Sequence, residues 1–200
     1  AVHALVISRS DPRTAPLATC FAPDTDPRVL RAFQARDFND RFQTGGRLAG
    51  TAYSPEGSDT GQPLTVSYSI VPDGTQVDGF NAEPASPSNL RSRLASIYGD
   101  EAAGIAHIRS AIERWSKLSG VRYVYEPNDD GQPLAYAPGV AGVRGDCRIA
   151  GHTIDGPSNI LAYNFLPSTF PSSSDADMVL DTADTTFNRE GGAYHGNIQP

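Results

Sequence analysis

Carboxylates gather in one stretch of this sequence. Asp155-Gly156-Pro157 stands at one end of it. Asp175 and Asp177 precede the apolar run Met178-Val179-Leu180, and Asp181 and Asp184 follow it. Acids and turn carbonyls at two strand ends are the oxygens that a hard cation such as Ca²⁺ collects, about six to eight at a time. The same pattern also describes two ordinary strands with solvated acidic ends, and the residue types alone leave both readings open. Asn128-Asp129-Asp130-Gly131 holds further oxygens, but no EF-hand spacing follows it, and a turn accounts for it. His3, His107, His152 and His195 are scattered, so no two stand one helical turn apart as a helix-borne zinc site requires. Cys20 and Cys147 are the two cysteines. A disulfide between them and free or otherwise paired thiols both remain open.

Strands must place these acids. In Asp155-Gly156-Pro157, Asp tolerates the turn, Gly supplies a positive φ and Pro ends any ladder. Asn159 to Leu166 is apolar and aromatic, which suits a strand. Leu64, Val66, Tyr68 and Ile70 alternate with Thr65, Ser67 and Ser69, the signature of a half-buried strand. Val121, Tyr123 and Tyr125 repeat it, and Cys147, Ile149 and Gly151 share one face of a short strand beginning at Asp146. Three helices are expected. Asp26-Pro27 opens the first, as N-cap and first helical residue, running to Phe42 before Gly45-Gly46. Ser86-Pro87 opens the second, with Leu90, Leu94 and Ile97 on one side. The third spans Glu101 to Leu118, with Ile105, Ile108, Ile112 and Trp115 as a core stripe and Glu113 paired to Lys117. Residues 49–63 read as a linker or exposed loop, and residues 131–145 as a long one.

Two hundred residues with 19 Gly, 16 Pro and 38% hydrophobic residues describe a loop-rich globular chain. The net charge of −7 disfavours nucleic acid and anionic membrane as partners. Residues 1–50 run against this trend, with seven Arg and five Asp. No apolar run is long enough to span a bilayer. Ala1 to Ile7 has an apolar patch but no basic residues before it, so it is not a complete signal peptide.

Asp155-Gly156-Pro157, then Leu161-Ala162-Tyr163-Asn164, then Leu180-Asp181 with Asp184 resemble, in order and offset, the matrixin (matrix metalloproteinase) family of metzincin zinc endopeptidases. That family has an Asp-Gly-Pro turn, a Leu-Ala-His-Ala strand, a loop, and a Phe-Asp-x-x-Glu strand end. The helix with Trp115 and the strand after it also fall at the family's positions, so the resemblance covers about Leu64 to Pro200. It implies an α/β (α+β) fold: a metzincin-like upper subdomain with a twisted, mostly parallel sheet of about five strands and backing helices. Residues 1–60 would be a propeptide-like extension. Residues 61–200 would be the N-terminal subdomain of the catalytic domain.

The resemblance also implies a function, that of a secreted, zinc-dependent metalloendopeptidase. The zinc ligands and general base of its His-Glu-x-x-His-x-x-Gly-x-x-His motif are absent here and are expected beyond Pro200, in a C-terminal part of the same protein. The strand matching Ile160 to Asn164 would pair with a peptide or protein substrate through Leu161 and Ala162. The family's calcium site carries over to Asp155, Gly156, Ser158, Ile160, Asp181 and Asp184, the last standing where the family has Glu. Tyr163 and Val179 replace two ligands of the family's structural zinc, which is therefore not expected, and His152 is left over. Cys20-Phe21-Ala22-Pro23-Asp24 resembles the inhibitory cysteine switch, although the Pro-Arg before the Cys is missing and Phe21 replaces Gly. The alternative is a non-catalytic, secreted, calcium-stabilised structural or binding module on the same scaffold. Neither reading calls for nucleic acid or a membrane span.

Overall fold

The computed structural model describes residues 5–8, 17–22, 25–34, 48, 50–57, 59, 61–79, 83–134, 138–167 and 176–184. Its elements in chain order are β1 (Leu5–Ser8), β2 (Leu17–Phe21), α1 (Pro27–Gln34), β3 (Leu64–Ile70), β4 (Gln76–Val77), β5 (Ser86–Pro87), α2 (Leu90–Tyr98), α3 (Glu101–Leu118), β6 (Val121–Tyr125), β7 (Cys147–His152), β8 (Ile160–Phe165) and β9 (Met178–Asp181).

The fold is α/β. Strands β6, β3, β7 and β9 run parallel to their neighbours, and β8 closes this group antiparallel to β9. These five strands are the mostly parallel sheet expected from the sequence. Two more extend it beyond β8: β2 pairs antiparallel with β8, and β1 with β2. The N-terminal segment thus belongs to the same sheet as residues 61–200, and the sheet has seven strands in the order β1-β2-β8-β9-β7-β3-β6.

Alternation sorts the side chains to two faces. Tyr68, Ile70 and Ile149 pack beneath α2 and α3 with Leu90 and Leu94. Phe21, Val71, Val77, Ala150, Ile160, Tyr163, Phe165 and Val179 form the second core, joined by Leu134, Ile154 and, from α1, Val29 and Leu30. Gly104 lets α2 and α3 approach, since a Cβ there would lie 2.5 Å from that of Leu94.

The other face of β3 is polar, and it is satisfied. Ser67 Oγ donates to Asp146 (2.6 Å) and Ser69 Oγ to Asp129 (2.5 Å). Asp129 also receives two guanidinium bonds from Arg148, at 2.9 and 2.6 Å. Both of those side chains are fully buried. Burial alone would raise the Asp129 carboxyl. Hydrogen bonds from Arg148 and Ser69 and the guanidinium charge outweigh it and hold the carboxyl below its ordinary range. The acidic turn at 128–131 is therefore a structural anchor.

Three helical expectations change, and a fourth, the end of the first helix, falls on residues outside the described ones. The described part of α1 ends at Gln34, and residues 35–47 lie outside the described set. Helix α2 starts at Leu90, not at Ser86-Pro87, because those two residues pair with Gln76 and Val77 in a small ribbon. The carboxylate of Asp73 caps the helix instead, accepting from the backbone of Arg91 and Ser92 at 2.9 Å each. Helix α3 has its expected bounds, with Asp100 as N-cap accepting from Ala103 N at 2.7 Å. Glu113, however, pairs with Arg109 (3.8 Å) rather than with Lys117. Trp115 is not core either: it is 67% exposed and Leu118 73%. The 9-residue α2 is half the length of the 18-residue α3. It runs out before the stripe reaches Trp115.

Two outcomes follow. Asp129→Asn leaves a buried guanidinium without its counter-ion and should cost about 3–5 kcal/mol in a urea titration. Replacing both partners by apolar residues should cost much less. Trp115→Ala should change stability by under about 0.5 kcal/mol, as for other exposed positions. A larger loss would return Trp115 to the core.

Candidate acidic site

The loop between β7 and β8 turns through three left-handed residues, Gly156 (φ 87°), Ser158 (φ 71°) and Asn159 (φ 65°). Glycine adopts this region freely, whereas Ser and Asn do so at some cost. That turn folds Asp155 back against the end of β9. Asp155 N donates to Asp181 Oδ2 at 3.2 Å, and Ser158 N donates to Asp184 Oδ1 at 2.8 Å. Asp155 accepts in turn from Ile160 N at 3.3 Å. Ala183 N donates to Asp181 Oδ1 at 2.7 Å. Asp181 and Asp184 are buried, while Asp155 keeps a face to solvent.

Backbone bonds thus bring the Asp155–Ser158 turn against Asp181 and Asp184 where the β7–β8 loop crosses the end of β9. Burial, and then the charges of Asp181 and Asp184, push the Asp155 carboxyl up to about 6. Arg93 reaches the site at the carbonyl of Asp184, 3.1 Å away. The residues suit a hard cation chemically, with carboxylates from Asp155, Asp181 and Asp184 and carbonyls from Gly156, Ser158 and Ile160. The carboxylate oxygens bonded to backbone N–H groups would have to turn to a cation to serve it. Among the described residues no group of three or more His, Cys, Asp or Glu is set out as a ready metal cage.

Leu161 and Ala162 lie on β8. The Leu161 side chain is buried, so only its backbone is available to a partner. Nor is β8 an edge: Ala162 pairs with Leu180 of β9 on one side and with Cys20 of β2 on the other. The edge expected for a peptide is filled by residues 17–21 of the chain itself. Cys20 sits in that strand, but its side chain is outside the described ones. The Cys147 thiol is free, so it forms no disulfide, and it donates to Ala176 O at 2.7 Å. Burial and two nearby aspartates push that thiol far above its ordinary range, which leaves it inert as a nucleophile.

The structure also assembles a cluster that no motif or spacing announces. His152 Nδ1 lies 2.7 Å from Ser86 Oγ, and its Nε2 faces Glu83 Oε1 at 3.6 Å. Tyr163 stands beside them, its phenol pushed far up by burial and by Glu83. These groups fasten the segment carrying β4 and β5 onto the sheet. Ser86 and His152 are 66 positions apart, and no spacing rule links them. Compared with known protein families, with curated proteins and with solved structures, the chain matches none.

The raised Asp155 pKa fixes a sign. Between the ordinary value of 3.8 and about 6, the folded chain holds a proton that the unfolded chain has released. This contribution to stability is therefore full below that window, lost as pH rises through it, and constant above it. Asp155→Asn should flatten this part of a pH series of urea midpoints.

Proposed function

We propose that this chain is part of a secreted, zinc-dependent metalloendopeptidase of the matrixin type, and that it holds a calcium ion at Asp155, Gly156, Ser158, Ile160, Asp181 and Asp184. The observation that supports this is the convergence of Asp155, Asp181 and Asp184, three residues from two separate segments, at the place the sequence resemblance assigns to calcium. Strand β8 lies last among β6, β3, β7, β9 and β8, and a peptide pairing there would take the side that β2 now holds. Main-chain groups of Leu161 and Ala162 would align an extended peptide there by strand addition. Cys20, placed beside β8 by β2, would supply the inhibitory thiolate.

The zinc ligands are expected beyond Pro200, in a C-terminal part of the same protein. When bound, zinc supplies a Lewis acid and a water of lowered pKa. The residues of this chain hold the substrate strand straight and tie it to β9. A second reading, a secreted calcium-stabilised module without catalysis, draws on the lack of any His-Glu-x-x-His within residues 1–200.

Calcium at about a hundred times its Kd should stabilise the chain at neutral pH by about 2.7 kcal/mol. Asp181→Asn should abolish the gain, and no gain in the parent chain would remove the calcium site. Peptide mapping of the native protein should find a His-Glu-x-x-His helix after Pro200, with proteolysis that a zinc chelator stops. A native protein that binds calcium but has no such helix would leave the non-catalytic module.

A further inference from the structure

We infer that Arg93 sets how tightly the acidic site holds calcium: it is a fixed positive charge at the rim that weakens the ion's binding without taking its place. The inference rests on reading Asp155, Asp181 and Asp184 as calcium ligands, and names a residue that tunes them.

Helix α2 fixes the charge. Leu90 and Leu94, on either side of Arg93 in the helix, are buried. Asp73 holds the backbone just before it, accepting from Arg91 N and Ser92 N at 2.9 Å each. From that frame the Arg93 guanidinium reaches the turn after β9, where its Nη2 donates to Asp184 O at 3.1 Å. A guanidinium does not give up its proton in a protein, so this charge is permanent.

The charge is also uncommitted. Arg28, Arg91, Arg109, Arg144 and Arg148 each pair with a carboxylate. Among the described residues no carboxylate oxygen lies within salt-bridge distance of Arg93. Its Nε is buried and has no hydrogen-bond partner, an arrangement that costs stability. A charge that no partner neutralises acts on the acids around it, and Asp184 is the first of these. The carbonyl and carboxylate of one aspartate are at most about 5 Å apart, which puts the guanidinium within about 8 Å of the Asp184 carboxylate.

The point of contact decides the kind of effect. A guanidinium forked onto the carboxylate would block a cation outright. At the carbonyl it leaves the carboxylate oxygens to the ion and opposes the ion by charge alone. A unit charge about 10 Å from a doubly charged ion weakens its binding about fourfold at the dielectric of water, and more where protein lies between. Arg93 therefore moves the site toward the weak affinities, about 10⁻⁴ to 10⁻³ M, that suit calcium-rich extracellular fluid.

The test is calorimetric titration with calcium chloride of three full-length chains: the parent, Arg93→Gln and Arg93→Lys. Neutral pH and an ionic strength of about 0.01 M keep screening weak. Glutamine and lysine are both good helix formers, and the position is half-buried, so neither substitution threatens the fold. Arg93→Gln should bind calcium at least about fourfold more tightly than the parent. Arg93→Lys, which keeps the charge, should stay within about twofold of it. Binding by Arg93→Gln alone is the same result in its extreme form.

Arg93→Gln binding no more tightly than the parent would overturn the inference and leave Arg93 as a clamp on the Asp184 backbone. Arg93→Lys tightening as much as Arg93→Gln would also overturn it, since shape and not charge would then set the affinity. No calcium binding by any of the three chains would remove the calcium site itself, and the inference with it.

Discussion

One buried guanidinium holds the two halves of the sheet in register. Arg148 gives its side chain to Asp129 and to the carbonyl of Pro133 (3.2 Å), while its backbone N donates to Asp177 at 2.7 Å. It therefore joins β7 to the turn after β6 and to the entry of β9. Ser69 completes the node, donating to Asp129 and accepting from Gly145 N at 3.0 Å. A charge this deep is tolerated only with its hydrogen bonds made. Parallel strands, joined by long crossovers, lack the local turns that fix register in a hairpin. Here a polar lock on one face does that work, and it leaves the other face wholly to α2 and α3.

The acidic site inherits its geometry from this lock. Arg148 and Asp177 set where β9 begins, and the four-residue β9 carries that position to Asp181. His152, paired opposite Asp181, ends β7 at the same level, and the left-handed turn then brings Asp155 across. Partial burial, and after it the repulsion of Asp181 and Asp184, keeps the proton on the Asp155 carboxyl to higher pH. The cluster is an electrostatic load on the fold, and a cation is one way to relieve it.

What was legible in the sequence was local. Helix α3 could be read to the residue because its stripe, N-cap and Ser-Gly end all agree, and β3, β6 and β9 followed from alternation or short apolar runs. The three aspartates were legible through the order of turn, strand and strand end. What failed was non-local. Nothing near Trp115 says that α2 is too short to cover it. Nothing near Ser86 says that Asp73, thirteen positions upstream, will cap the helix in its place. Arg148 looks like a surface residue until Asp129 is folded beneath it. The pairing of β2 with β8 leaves no periodic mark at all, since an edge strand is chosen by what remains open after the rest has folded.

That last pairing sets a clock on synthesis. Thr25 and its backbone acceptor Asn159, at the same junction of β2 and β8, are 134 residues apart. At roughly 5–20 residues per second, a ribosome takes about seven to twenty-seven seconds to make the chain between them. For that interval Leu17–Phe21 has no strand to join, and its apolar residues are available to anything nearby. Within this stretch the strand segments made early are among the last to find their place, so they stay exposed while the rest is being made.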